Sequence, residues 1–219
     1  MAYVLRVRRV TLQYASLSCL AAFLVVALAV AHGHTPDLVE KPVIDWLAPN
    51  PTGGWARVTT LLGKPAIGTA LVAALIFGGL RGAVRWVVVY AALAGVAFLL
   101  GEHVVKPLVD RTYYDEVTFP SGNVTAVCAT ALALWLALWP ALGRKSCRVT
   151  ATIGVAWVLV MSLAVVGAEW HTPLDDVGSV LLSIGVVAGG ATLLEPLVAR
   201  WSPPRGASDT AGHRAREPG

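Results

Sequence analysis

Charge is scarce in this sequence. Asp, Glu, Lys and Arg make up 14% of its 219 residues, against roughly 25% in soluble globular domains. That shortage argues against a soluble fold, because 56% hydrophobic residues would need a water-facing surface that the remainder is too poor in charge to build. Cysteine is also scarce. Cys19, Cys128 and Cys147 are odd in number and match no metal-binding spacing, so they read as free thiols. No basic stretch interleaves with aromatic residues, which gives nucleic-acid binding no footing. The external His and carboxylate residues lack matched ligand spacing, so no metal and no other cofactor is expected.

What the chain has in abundance is long apolar runs. Mean hydropathy is +0.68, and six runs stand out: Leu12–Ala31, Pro65–Leu80, Val84–Gly101, Val124–Leu142, Val149–Ala168 and Val177–Leu197. A helix needs about 20 apolar residues to cross a bilayer. The runs are continuous and rich in Ala and Leu, not alternating, which speaks for helices over strands. The expected fold is all-α, a six-transmembrane-helix bundle over residues 1–200 with helices near 12–31, 60–80, 84–101, 123–142, 149–168 and 173–197. Thr60-Leu61-Leu62-Gly63 extends the short second run. A signal peptide is the alternative for the first run, but its apolar length exceeds the usual core. Residues 201–219, rich in Pro, Gly, Ser and charge, read as a disordered cytoplasmic tail.

The charges orient this bundle. With six crossings, 12 of the 17 Lys and Arg residues fall on the side of both termini, and 10 of the 13 acids on the other. The positive-inside rule makes the basic side cytoplasmic. The expected location is the plasma membrane, multi-pass, with both termini cytoplasmic. In the first external loop Val39–Leu47 reads as a short interfacial helix, with Trp46 and Trp55 as anchors.

Three polar segments are expected at the external ends of the helices: Lys106-Pro-Leu-Val-Asp-Arg111, Phe119-Pro-Ser-Gly-Asn123 and Glu169-Trp-His-Thr-Pro-Leu-Asp175. Charged groups brought together at one membrane boundary suggest a site. Ser121, Gly122 and Asn123 present free backbone N–H groups at a helix start, an arrangement suited to phosphate. Lys106 and Arg111 can add positive charge to the same oxyanion. His171 and Asp175, four apart, can pair, with Asp fixing the imidazole tautomer and His acting as nucleophile or base. Each feature also has a plainer reading. Thr172-Pro-Leu-Asp175 resembles a capped helix start, Pro120-Ser121-Gly122 an ordinary turn, Lys106 and Arg111 snorkelling cations, and His171, His103 and Glu102 interfacial residues.

From Asp37 to Leu197, the layout and the order of these three segments resemble the type 2 phosphatidic acid phosphatase family of membrane lipid phosphatases. The resemblance implies a phosphohistidine mechanism: His171 attacks phosphorus, Asp175 supports it, and Lys106, Arg111, Ser121, Gly122 and Asn123 bind phosphate. It also implies a phosphorylated lipid as substrate, a site on the external or periplasmic side, and a place in lipid metabolism at the cell envelope. The chain departs from the family pattern at named positions. Tyr113-Tyr114 stand where the first motif has Arg-Pro, with Arg111 two residues early. Asn123 stands where the second motif has the His that protonates the leaving group, and Ala164-Val165 where the third has Ser-Arg. Loss of a general acid costs about 10²–10⁴-fold in rate. Two outcomes fit: a hydrolase with an easy leaving group, such as a polyprenyl or other lipid diphosphate, or a relative without turnover that binds phosphorylated lipids or serves as a lipid-transport or assembly subunit.

Overall fold

Long apolar runs without a helix breaker propagate as single helices, and six of them dominate the computed structural model of the chain. The structure describes residues 2–33, 36, 39–47 and 54–200, with side chains from 9 to 196 within those ranges. The tail over 201–219 lies outside the described residues. The helices are α1 (Ala2–Val30), α2 (Lys41–Leu47), α3 (Gly54–Leu62), α4 (Lys64–Leu80), α5 (Val84–Leu100), α6 (Lys106–Val109), α7 (Gly122–Leu138), α8 (Arg144–Gly167) and α9 (Pro173–Arg200). Among the described residues, six helical stretches are long and apolar enough to span a bilayer, at 20–27 residues each. The expected all-α, six-helix bundle is therefore what the chain forms.

The boundaries differ from the apolar runs for physical reasons. The second span is broken at Gly63 between α3 and α4. There Trp157 of α8 donates its indole N–H to the Leu62 carbonyl at 3.0 Å, which satisfies a backbone acceptor at the break. The third span does not stop with its apolar run. It passes through one wider π turn, Gly101–Val105, into α6. Asp110, in a left-handed conformation (φ 49°, ψ 42°), ends it. The fifth begins at Arg144, before the apolar run, because basic residues are good helix formers where a helix emerges into water. A short helix expected over Val39–Leu47 forms as α2, over Lys41–Leu47.

Helices α7 and α9 are central: about half of each apolar window is buried, against a third or less in the other four. Their packing relies on small residues, as it must where lipid offers no hydrophobic drive between helices. Ala129, Ala133 and Ala137 of α7 meet Val87, Tyr90, Ala94 and Ala97 of α5 and Val187 and Ala191 of α9 in one core cluster. A side chain at Gly185 would meet Leu20 of α1 at 2.6 Å, and one at Gly189 the Ser16 hydroxyl at 2.7 Å. Interhelical hydrogen bonds add to this. Ser16 donates to the Gly185 carbonyl at 2.8 Å, Ser179 to the Ser121 carbonyl at 2.9 Å and Ser183 to the Thr125 carbonyl at 3.2 Å.

Beyond α6 the chain makes a small antiparallel hairpin, Thr112–Tyr113 with Glu116–Val117. Its two turn residues, Tyr114 and Asp115, have φ of 50° and 63°, the positive values a two-residue hairpin turn needs. Backbone bonds pin it to its surroundings, from Thr112 N–H to the Gly33 carbonyl at 2.9 Å and from His32 N–H to the Val109 carbonyl at 2.9 Å. One end of the bundle thus collects the ends of α1, α6 and α8 and the starts of α4, α7 and α9.

Candidate active site

The third polar segment is shaped by two helix caps back to back. Helix α8 ends in a Schellman motif: Trp170 N–H reaches the Val165 carbonyl at 3.0 Å and Glu169 N–H the Val166 carbonyl at 2.9 Å. Glu169 takes the left-handed position (φ 57°) that glycine usually fills. Three residues later Thr172 caps α9, with Pro173 in the first turn. Its own N–H donates to Asp175 Oδ2 at 2.8 Å, the reciprocal bond of a capping box. His171 is held between the two caps.

Asp175 carries more than the cap. Its Oδ1 accepts from Arg111 Nη1 at 3.0 Å, and the same nitrogen donates to Thr172 Oγ1 at 2.9 Å. Arg111 Nη2 bonds to Glu40, whose other oxygen accepts from Leu174 N–H at 3.0 Å at the positive end of α9. Arg111, Glu40 and Asp175 are 2%, 1% and 0% exposed. Buried ions persist only when paired and hydrogen-bonded, and here one guanidinium is shared by two carboxylates, each of which also accepts a backbone N–H. His171 Nδ1 lies 3.8 Å from Asp175 Oδ2, longer than a hydrogen bond, and is buried without a partner.

In front of this buried knot is a cleft of about 450 Å³, whose lining includes Lys64 and Ile67 of α4, Glu102 of the π turn, Lys106, Gly122, Asn123 and His171. The three polar segments therefore do meet. Lys106, Gly122, Asn123 and His171 line the cleft; Asp175 lies behind its wall. Arg111 is not brought to the cleft. Ser121 is fully buried, and its hydroxyl caps α7 by accepting from Val124 N–H at 3.5 Å. Both readings of Asp175 thus describe real contacts: it caps α9 and it abuts His171.

Glu102, read from sequence as interfacial, faces the cleft. Its two oxygens are each 2.9 Å from Lys106 Nζ. Its carboxylate sits so close to Gly122 that any side chain there would collide with it. It therefore stands at the first turn of α7, where a bound anion is most favoured. At the positions of missing family residues, Val165 is wholly buried in an apolar cluster with Met161 and Val127. Tyr113 is buried against Tyr114, with ring centroids 4.3 Å apart. Burial, then the Tyr114 hydroxyl, pushes the Tyr113 phenol well above its usual range, so it is neutral. Sequence reading placed Lys64, Glu40 and Glu102 on the same side of the bundle but did not include them in the site. The Glu102–Lys106 spacing of four was the one available signal.

Residues 101–198 match the model of the PAP2 superfamily. No curated protein matches the chain, and no solved structure does. The matched stretch is just under half of the chain, but it runs from the π turn bearing Glu102 into α9 and so takes in all three polar segments. With the six apolar helices, that match supports a type 2 phosphatidic acid phosphatase-family assignment for this part of the chain.

Proposed function

We propose that this protein is a membrane phosphohydrolase that cleaves a lipid diphosphate through a phosphohistidine at His171. The observation that carries the reading is the cleft itself: an imidazole backed by a fixed carboxylate, facing Lys106, Asn123 and the start of α7. In the first step a ring nitrogen of His171 attacks the terminal phosphorus. The bond from that phosphorus to the bridging oxygen breaks, and the lipid monophosphate leaves with the electron pair. Asp175, locked by Arg111 and Thr172, steadies the cationic phosphohistidine, the His–Asp distance shortening as it forms. Water then attacks the same phosphorus, inorganic phosphate departs and His171 is restored. Asn123 donates a hydrogen bond but carries no proton to give. A phosphate leaving group needs little protonation and an alkoxide much, which favours a diphosphate over a monoester. The bias of Lys and Arg toward the opposite end supports an outward-facing cleft on the plasma membrane.

The test is phosphate release by purified protein from matched polyprenyl or other lipid diphosphates and monophosphates, for wild type and His171→Ala. The diphosphate should be cleaved faster, with an acid-labile phosphoprotein trapped only in wild type. Equal rates on the two substrates would sink the diphosphate reading. Glu102 favours a second reading, because its carboxylate occupies the anion position and ties up Lys106. On that reading the chain binds phosphorylated lipids without turnover, and no phosphate is released from any of them.

A further inference from the structure

We propose that Lys64 is the anchor for the second phosphate of a diphosphate headgroup, and so the residue that sets the preference for diphosphate over monophosphate. The inference rests on the function proposed above and adds a residue that lies outside the three polar segments. Lys64 lines the same cleft as Lys106, Asn123 and His171, but it comes from α4, on the other side of the Gly63 break. That break is held in place by Trp157 on the Leu62 carbonyl and by Met161 against Gly63.

Three observations separate Lys64 from a stray surface lysine. First, the cleft's other lysine is already neutralised, because Lys106 bonds to both oxygens of Glu102. Among the described residues no carboxylate pairs with Lys64, so it supplies the cleft's uncompensated positive charge. Second, it is the first residue of α4, the positive end of the helix dipole, where a cation is disfavoured and an anion stabilised. A bound anion beside Lys64 gains from both the ammonium and the helix start, while the negative end of α3 at Leu62 offsets the cost of the cation. Third, a monophosphate held at His171 by Lys106 and the α7 start leaves Lys64 without a partner. A second phosphate group, joined to the first through one bridging oxygen, gives the flexible Lys64 ammonium a partner in the same cleft.

The test measures binding of methylenediphosphonate and of inorganic phosphate by the full-length protein in nanodiscs. Wild type should prefer the diphosphonate. Lys64→Ala should weaken it at least about fivefold while changing phosphate less than about twofold, Lys64→Arg should retain most of the preference, and Lys106→Ala should weaken both ligands. For the lipid diphosphate, Lys64→Ala should raise KM and leave kcat nearly unchanged. Equal losses for both anions in Lys64→Ala, no loss for either, or no diphosphonate binding by wild type would each overturn the proposal. Absence of phosphate release by a wild type that binds diphosphonate in this Lys64-dependent way would reject the hydrolase reading and leave Lys64 in its assigned place.

Discussion

Two charged clusters share one end of this bundle, and they use their cations in opposite ways. Behind the wall, Arg111 is buried and saturated: one nitrogen serves Thr172 and Asp175, the other Glu40. In the cleft, Lys64 and Lys106 stand at a partly open surface, one without a carboxylate partner among the described residues and one held by Glu102. The division follows side-chain chemistry. A planar guanidinium with a fixed fork of donors suits several converging acceptors in a dry site, whereas an ammonium on a flexible stem can leave one partner for another. Residues that are close in sequence and alike in charge therefore belong to different machines: Arg111 builds the wall and Lys106 faces what binds to it. Asp175 is the point of contact, tied to the knot through both oxygens and facing His171 across 3.8 Å.

The sharpest way to break this comparison is to remove Arg111. Arg111→Met removes the guanidinium that the buried carboxylates of Glu40 and Asp175 share. Breaking a buried pair in this way costs about 3–5 kcal/mol, so the variant should express poorly and melt well below wild type in detergent. A variant that melts normally and loses only anion affinity would move Arg111 into the cleft. His171→Ala should behave as the opposite: at least about a 10³-fold loss of phosphate release, as expected on removing a nucleophile, at an unchanged melting temperature. If both variants lose stability equally, the two clusters are one.

The sequence made the bundle legible because bilayer thickness sets the length of an apolar run, and all six runs are there to count. Its ends were less legible. Val84–Gly101 continues past its last apolar residue because backbone winding through Glu102 and His103 depends on local hydrogen bonds, not on hydropathy. The meeting of three polar segments could be inferred from their order and alternate placement along six crossings. Which way each side chain points could not. Arg111 turns inward because Asp110 takes a left-handed turn just before it, and Glu40, its partner, lies 71 residues away in a short segment read only as an interfacial helix. Lys64 fell inside the helix expected over 60–80, and apolar length alone did not mark it as lining a cleft.

A smaller effect probes the cleft alone. Glu102 competes with any incoming anion for Lys106 and for the start of α7. Glu102→Gln removes its charge and keeps its shape, so orthovanadate or phosphate should bind more tightly. Partly exposed pairs of this kind contribute about 0.2–1 kcal/mol, which sets the gain at up to about fivefold. Melting temperature should barely move, since Lys106 is free to turn to water. Weaker binding by Glu102→Gln would mean that the carboxylate positions Lys106 and does not compete with the ligand.

The smallest predicted effect falls on Asp176, the acid that neither cluster uses. It is 5% exposed and sits beside the charged Asp175. Ser121 and Ser162 are its neighbours, yet both of its carboxyl oxygens lack a hydrogen bond of good geometry. A buried polar group without partners costs free energy, and a second acid next to Asp175 adds like-charge repulsion. Asp176→Asn keeps the volume, removes the ionisable group and brings two amide donors toward the serine hydroxyls. It should raise stability by up to about 1 kcal/mol in thermal melts, with phosphate release within about twofold of wild type. A drop in melting temperature comparable to that of Arg111→Met would place Asp176 inside the buried knot. A large loss of turnover at normal stability would join it to the cleft, and the boundary between the two clusters would then run through α9 one residue beyond Asp175.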